Sequence, residues 1–559
     1  MSNESDEVMF YSSVTDRADD MNNVLFKDKN WTYVVDQTSS AGSFTANQCQ
    51  FDLSTFGSQA QWVSLQEAIV QFPVRISADV TVANAPTLLN QFTMKNGYHH
   101  WIDSAQLIVD GQTIQSAQPY QNVASTFKIL SEWSQDELIK YGRSCGIVLD
   151  DCTGDTTTVD TDGLNNATSA NNLASTGSAN PINAGVGFAA YSASIGNKAL
   201  PARSSMIANL SNADDTSTGP LAQKTLGSAA LKQQGNANAF ATGTAAQAAN
   251  QYLAFYLCTV RLKDIVDLDQ FPMTKNLRGY LYLNFNATQS VVTVTGTEAI
   301  GSIAVTPLGG RTNPIIMNPL LTGATATSVI TVRAEVNGAS DRIKGSTGPL
   351  MSTARLLLPF YEANPRADAA LTMSAKKFST MEKLVNPIYV GKGASTNVTL
   401  TSGVSNPRGL IMLPMWTDIG TLVQPNPELS LTDSVPGTSG IFATLNNLQV
   451  YKANKPIYQN PIQYTFDQWV QENSKTGAHG GVADSMASGL LTEQLFNQNH
   501  RFYYVDLSRR TESEDGASQS IQVAFQNASF NYSMKVICIV LYEKHWTIDT
   551  ALCKVNSAV

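Results

Sequence analysis

One order of signals occurs twice along this chain, and that repetition constrains its fold more than any other feature. Leu107 to Gln115 sets Asp110-Gly111 between two apolar arms, the preferred chemistry for a two-residue hairpin turn. Leu448 to Gln459 again places two arms about a turn. A short helix-like stretch with aromatic anchors follows each hairpin: Tyr120, Phe127 and Trp133 in the first, Tyr464, Phe466 and Trp469 in the second. Each then leads to a Phe-Tyr strand. Phe255-Tyr256-Leu257 runs on to Arg261-Leu262-Lys263-Asp264, and Phe502-Tyr503-Tyr504 runs on to Asp506 and Arg509-Arg510. Alternating strands close both series, at Tyr280 to Phe285 and at Ile521 to Phe525. The hairpins start 341 residues apart and the Phe-Tyr strands 247, a difference of 94 residues. The chain therefore reads as one β unit used twice, with an insertion in the first copy after its helix.

Composition locates that insertion. Residues 151–250 are Ala, Ser, Thr, Asn and Gly with three aromatics, Phe188, Tyr191 and Phe240, too few for much apolar burial of their own. The segment is expected to be a surface loop between the first helix and the Phe255 strand. Elsewhere, short β-rich runs broken by Gly, Pro, Asn and Asp predominate, which points to sandwiches or barrels. Ile69 to Ile76 and Ala354 to Tyr361 are two such runs, and Val536 to Tyr542 is apolar on both faces like a buried central strand. Helical periodicity is confined to Val123–Tyr141 and Tyr464–Asn473. A length of 559 residues suits two or three domains. Only 14% of residues are charged against 43% hydrophobic, which argues against a solvated helical or a disordered chain.

The formal net charge is −9, and neither end carries a run of Lys or Arg. A protein that condenses nucleic acid by itself usually carries a basic patch or tail, so this balance disfavours sequence-specific nucleic-acid binding. The first residues lack the basic start and apolar stretch of a secretory signal, and the longest apolar runs are too short for a transmembrane segment. Six scattered cysteines, Cys49, Cys145, Cys152, Cys258, Cys538 and Cys553, form no CxxC pair and read as free buried thiols in a reducing compartment.

Motifs for catalysis are weak. Ser374-Ala375-Lys376-Lys377 followed by Lys475-Thr476-Gly477 imitates two elements of serine β-lactamases, but the Ser-Asp-Asn element between them is missing. No GxxxxGK[ST], GxGxxG or HExxH occurs. His99 and His100 are adjacent and would point to opposite faces of a strand; His479, His500 and His545 lack partners at metal-ligand spacing. Asp506 with Arg509 and Arg510 reads as a strand-end ion pair and contacts between subunits rather than a catalytic acid with anion-binding arginines. No catalytic, cofactor-binding or metal-binding residue is assigned, no cofactor is expected, and the chain is not expected to be an enzyme.

Several blocks resemble the double jelly-roll major capsid proteins of polinton-like viruses, adintoviruses and virophages. They are Val260 to Ile265 with Phe271-Pro272-Met273-Thr274 and Arg278-Gly279, then Ala354 to Pro359 with Tyr361 and Asn364-Pro365, then Ser405 to Leu410 through Pro414. The most specific are Gly489-Leu490-Leu491, His500 to Arg510, Ser520 to Val523, and Tyr542-Glu543-Lys544 with Ile548-Asp549. Together they cover roughly residues 60–140 and 255–555. The resemblance implies an all-β fold of two tandem eight-stranded jelly rolls with a few short helices and a long inserted loop in the first roll. Residues 1–25 would be an N-terminal arm, 26–308 the first roll and 309–559 the second, with Ala354 to Tyr361 an early strand of the second. It further implies a major capsid protein in the virion. Homotrimeric pseudo-hexagonal capsomers would tile an icosahedral shell around double-stranded DNA, with neighbouring capsomers, penton proteins and minor capsid proteins as partners. Two other readings stay open: a virion spike or receptor-binding β protein, and a glycoside-processing enzyme on a jelly-roll scaffold.

Overall fold

Alternation of side chains writes most of the strands. Ser518–Asn527 buries every second residue, Gln519, Ile521, Val523, Phe525 and Asn527, and Gly279–Phe285 does the same with Leu281, Leu283 and Phe285. A computed structural model describes residues 25–38, 47–56, 61–81, 87–88, 91–149, 230–234, 251–295, 299–318, 321–322, 328–336, 353–372, 375–417, 426–429, 443–474, 489–498, 500–508 and 516–557.

In the first half the strands are β1 (Phe26–Val35), β2 (Gln48–Asp52), β3 (Ile69–Thr81), β4 (Ile102–Val109), β5 (Gln112–Gln115), β6 (Gln251–Arg261), β7 (Gly279–Phe285), β8 (Ala287–Thr295), β9 (Ala299–Gly309), β10 (Ser328–Val336) and β11 (Arg355–Ala363). One sheet contains the order β1-β11-β3-β6, and a second has the order β2-β7-β4-β5. Strands β8, β9 and β10 extend the first sheet, with β10 pairing along the far half of β3 from Val74 to Thr81. The second half supplies β12 (Lys376–Val390), β13 (Ser395–Ser405), β14 (Pro407–Trp416), β15 (Leu445–Lys452), β16 (Lys455–Pro456), β17 (Tyr503–Asp506), β18 (Ser518–Asn527) and β19 (Met534–Asp549). Its sheets have the orders β12-β19-β14-β17 and β13-β18-β15-β16.

With the β8–β10 excursion set aside, both halves pair their first, eighth, third and sixth strands in one sheet. The second, seventh, fourth and fifth make the other. That is the double Greek key of a jelly roll, present twice. The two repeated hairpins, β4–β5 and β15–β16, are the fourth and fifth strands of their rolls. Both turn through two residues in the left-handed region: Asp110 (φ 49°) and Gly111 (φ 75°), Ala453 (φ 49°) and Asn454 (φ 63°).

Strand β11 falls elsewhere than expected. Its residues were placed early in the second roll, yet Arg355–Leu357 pair with β3 and Arg355–Ala363 with β1. It is the eighth strand of the first roll, so pairing of that roll runs well past residue 308. The misplacement has a simple cause: the three-stranded excursion β8–β10 separates the seventh strand from the eighth. The helical run Val123–Tyr141 is two helices, α1 (Gln121–Glu132) and α2 (Gln135–Tyr141). Trp133 is extended between them, and Ser134 with Glu137 forms a capping box for α2. Helix α3 (Pro365–Thr372) links the rolls; α4 (Phe466–Ser474) and α5 (Glu493–Gln498) precede β17. The expected loop at 151–250 lies outside the described residues except Ala230–Gln234, a strand on the edge of β6 opposite β3. Cys49, Cys145, Cys258, Cys538 and Cys553 are free and buried, as expected.

Candidate functional site at the seam of the two rolls

The hydrophobic interior divides into two clusters, and each roll contributes to the other's. Helix α1 belongs to the first roll by sequence, but Val123, Phe127, Leu130 and Trp133 pack in one cluster with Ile411, Tyr504, Ile539 and Leu541 of the second. In return Phe378, Trp546, Ile548 and Val555 of the second roll pack in the cluster of the first. Phe378 meets Phe271 edge-on at 5.2 Å between ring centroids.

The sequence of α1 does not look like a core helix. Gln121, Asn122, Ser125, Thr126, Lys128 and Ser131 are nevertheless buried along with its apolar residues. Burial is eased because most of these side chains find a hydrogen-bond partner, although Asn122 Oδ1 has none among the described residues. Asn122 Nδ2 donates to Thr312 Oγ1 (2.9 Å), Gln121 Nε2 to Ser125 Oγ (3.1 Å), and Ser131 Oγ to the Phe127 carbonyl (2.8 Å). Thr126 Oγ1 donates to the Asn122 carbonyl (2.8 Å) and meets His99 Nε2 at 2.8 Å. The last carbonyls of the helix are met by backbone of the second roll: Leu490 N donates to Leu130 O at 2.8 Å. Gly489, at φ 74°, makes this approach possible, because a Cβ there would lie 2.4 Å from Leu130 O.

Two charged clusters flank the helix. At its start, Lys535 pairs with Glu428, both buried, while Tyr120 Oη donates to Glu428 (3.0 Å) and Lys535 Nζ donates to Tyr120 Oη (3.1 Å). Burial alone would lower the Lys535 ammonium, but Glu428 and Tyr120 together outweigh it and the net shift is upward. Burial, reinforced by Glu428, pushes the Tyr120 phenol up to about 12. Midway along, Lys128 Nζ lies 3.1 Å from Asp269, 3.7 Å from Glu132 and 3.9 Å from Asp267. Against the effect of burial these three carboxylates hold its ammonium raised. Lys383, half-buried on β12, donates to Gln121 Oε1 (2.8 Å), and burial together with Lys128 lowers it to about 8. Between them lies a small cavity of about 20 Å³, lined by Gln121, Lys128, Asp267, Lys383, Ile411 and Leu541, room for about one water. Met381 N donates to Asp267 Oδ2 (2.6 Å), and Ser116 N and Oγ donate to Glu382 (2.8 and 2.7 Å), so further bonds cross the same seam. These arrangements fix the rolls relative to one another.

The residues singled out by sequence are scattered over this frame. Arg261 lies along Asp264 (2.8 and 3.0 Å) and Glu137 (3.1 Å) with its guanidinium 4.2 Å over the Trp133 ring. Asp506 accepts from Ser508 N (2.8 Å), and its own N–H donates to Glu472 (3.0 Å); Arg509 and Arg510 lie outside the described residues. His99 and His100 are not on a strand. They occupy the 3₁₀ turn Tyr98–Trp101 with ring centroids 4.3 Å apart, and burial lowers His99 to about 3. Lys376 and Lys377 sit on β12, while Ser374 and Lys475-Thr476-Gly477 are outside the described residues. Among the described residues no group of three or more His, Cys, Asp or Glu is placed to hold a metal ion, and no helix is long and apolar enough to cross a membrane. Sequence reasoning missed Lys128, Glu428 and Lys535. The one available signal was Lys535, a lone charge opening the apolar run Val536 to Leu541.

No family model and no curated protein matches the sequence. Solved structures do. A chain of the Sputnik virophage, solved by cryo-EM, aligns over 96% of this chain and 89% of its own, at 10% identity and a TM-score of 0.45. The mavirus major capsid protein aligns over 96% and 93% at 9% identity (TM-score 0.44), and the Faustovirus major capsid protein over 93% and 90% at 10% (TM-score 0.43). The chain is similar to viral major capsid proteins. The strand order establishes the double jelly roll independently of that likeness.

Proposed function

We propose that this chain is a major capsid protein that self-assembles as homotrimers of pseudo-hexagonal outline into an icosahedral shell enclosing double-stranded DNA. The observation that carries the reading is the pair of jelly rolls with identical strand order, fixed side by side by a helix buried between them. Two like rolls per chain give three chains six like rolls, so a closed trimer fills a sixfold lattice position. The sparse charge agrees, because charged residues are depleted at the cores of interfaces. The blocks from Val260 to Asp549 that resemble capsid proteins support the same reading. Penton and minor capsid proteins would be its further partners, and the virion its location. The first roll would span residues 26–363 and the second 376–557, with 151–250 an outward loop of the first.

Negative-stain microscopy with mass photometry of the full chain tests this. Trimers of hexagonal outline, or closed shells, are expected. A chain that stays monomeric at micromolar concentration under all salt conditions would overturn the reading in favour of a receptor-binding protein.

A further inference from the structure

The two rolls differ in what lies over their corresponding outer faces. In the second roll the outward residues of the eighth strand, β19, are sealed beneath α1 of the first roll, Ile537 and Ile539 at 0% exposed and Leu541 at 1%, while Tyr389 at the end of the first strand stays 66% exposed. The corresponding face of the first roll, on β1 and β11, is open among the described residues. Trp31, Tyr33 and Val35 are 48%, 52% and 45% exposed, and Leu357 and Tyr361 beside them are half-buried. Large apolar side chains in a contiguous row at this exposure mark a binding surface.

The same motif stands on both faces. In the second roll Lys535, near the start of the eighth strand, lies 5.2 Å from the ring of Tyr389 on the first strand and is closed over by Tyr120 at the start of α1. In the first roll Arg355 opens the eighth strand and lies 4.6 Å over the ring of Tyr33 on the first strand. Its buried Nε has no hydrogen-bond partner among the described residues. Helix α4 follows the fifth strand of the second roll as α1 follows that of the first. Helix α1 is buried on every side, whereas α4 leaves Asp467 and Gln471 exposed and Phe466 and Val470 half-buried.

We infer that the open β1–β11 face binds α4 of a second copy of this chain, repeating between molecules the seam that α1 makes within one. The contact is head-to-tail, from the second roll of one copy to the first roll of the next, and such contacts close into rings when the rotation permits. Trp31 and Tyr33 would be the apolar anchors, and Arg355 would meet the acidic first turn of α4 at Asp467. The inference rests on the self-association proposed above and adds to it which surfaces meet.

The test uses the full-length chain. A photo-crosslinking amino acid at position 33 should join to a peptide containing residues 466–474 of another copy. Trp31→Ala with Tyr33→Ala, and separately Arg355→Glu, should each weaken association about tenfold or more. Phe530→Ala, on a side chain 78% exposed elsewhere, should leave it unchanged. Asp467→Arg should restore association to Arg355→Glu. A wild-type chain that never associates would overturn the self-association reading and this inference with it. Wild-type oligomers that crosslink from position 33 to another segment, or not at all, would overturn this inference alone. So would oligomers indifferent to Arg355→Glu.

Discussion

Phe127 of the first roll's helix stacks on Tyr504 of the second roll's sixth strand, with ring centroids 5.4 Å apart and planes 23° from parallel. Phe502 meets the same Phe127 edge-on at 5.7 Å. Phe127→Ala removes a fully buried ring from both contacts and should cost about 3–5 kcal/mol. Because each roll shares the other's core, unfolding should remain one transition. Calorimetry checks both points, and two resolved transitions in the wild type would show the rolls to be independent.

Lys535 and Glu428 should show strong coupling in a double-mutant cycle. Removing one charge leaves the other buried without its counter-ion, so Lys535→Met or Glu428→Gln alone should cost roughly 3–5 kcal/mol, and the pair together less than the sum. The raised pKa of Lys535 gives the sign with pH. Its stabilising effect is fully present below the unfolded value near 10.4 and is lost as pH rises through the folded value. Denaturant midpoints of the four proteins at pH 7 measure the coupling; simple additivity would contradict it.

Lys383 should behave in the opposite sense. Its folded pKa of about 8 lies below the unfolded lysine value near 10.4, so between those values the unfolded chain binds more protons and stability rises with pH. Lys383→Met should therefore gain most over wild type below pH 8, and the gap should narrow towards pH 10. The mutant-minus-wild-type difference in melting temperature across that range isolates this group from other titrations.

Gly489→Ala should disturb the seam without touching either sheet. The added methyl meets the carbonyls of Leu130 and Ser131 on a residue already at positive φ, so a loss of about 1–3 kcal/mol is expected. Hydrogen exchange should show faster opening at Leu490, whose N–H serves the end of α1. Unchanged protection there would sink the proposed role of this glycine.

The duplication was legible because hairpin chemistry and alternation are local properties, and both hairpins occupy the same place in their rolls. Val536 to Tyr542 announced its burial on both faces, although not what covers the second one. That cover is α1, whose buried Gln121 and Asn122 are met by the tertiary partners Lys383 and Thr312, which no local pattern reveals. The eighth strand of the first roll was read correctly as a strand and assigned to the wrong roll, because pairing at a separation of about 330 residues leaves no local mark. Gly489-Leu490-Leu491 stood out as a motif, and the structure supplies its reason: a backbone approach to the end of α1.

Sharing cores across the chain also has a consequence for synthesis. Helix α1 emerges from the ribosome early, yet the face that covers it is completed only by β19, roughly 400 residues later. At about 5–20 residues per second that interval lasts on the order of tens of seconds. Throughout it, Val123, Phe127 and Leu130 have no second-roll sheet against which to hide. A nascent chain with sticky surface exposed for so long is a natural substrate for chaperones. Completion of translation thus acts as a checkpoint on which chains are fit to fold.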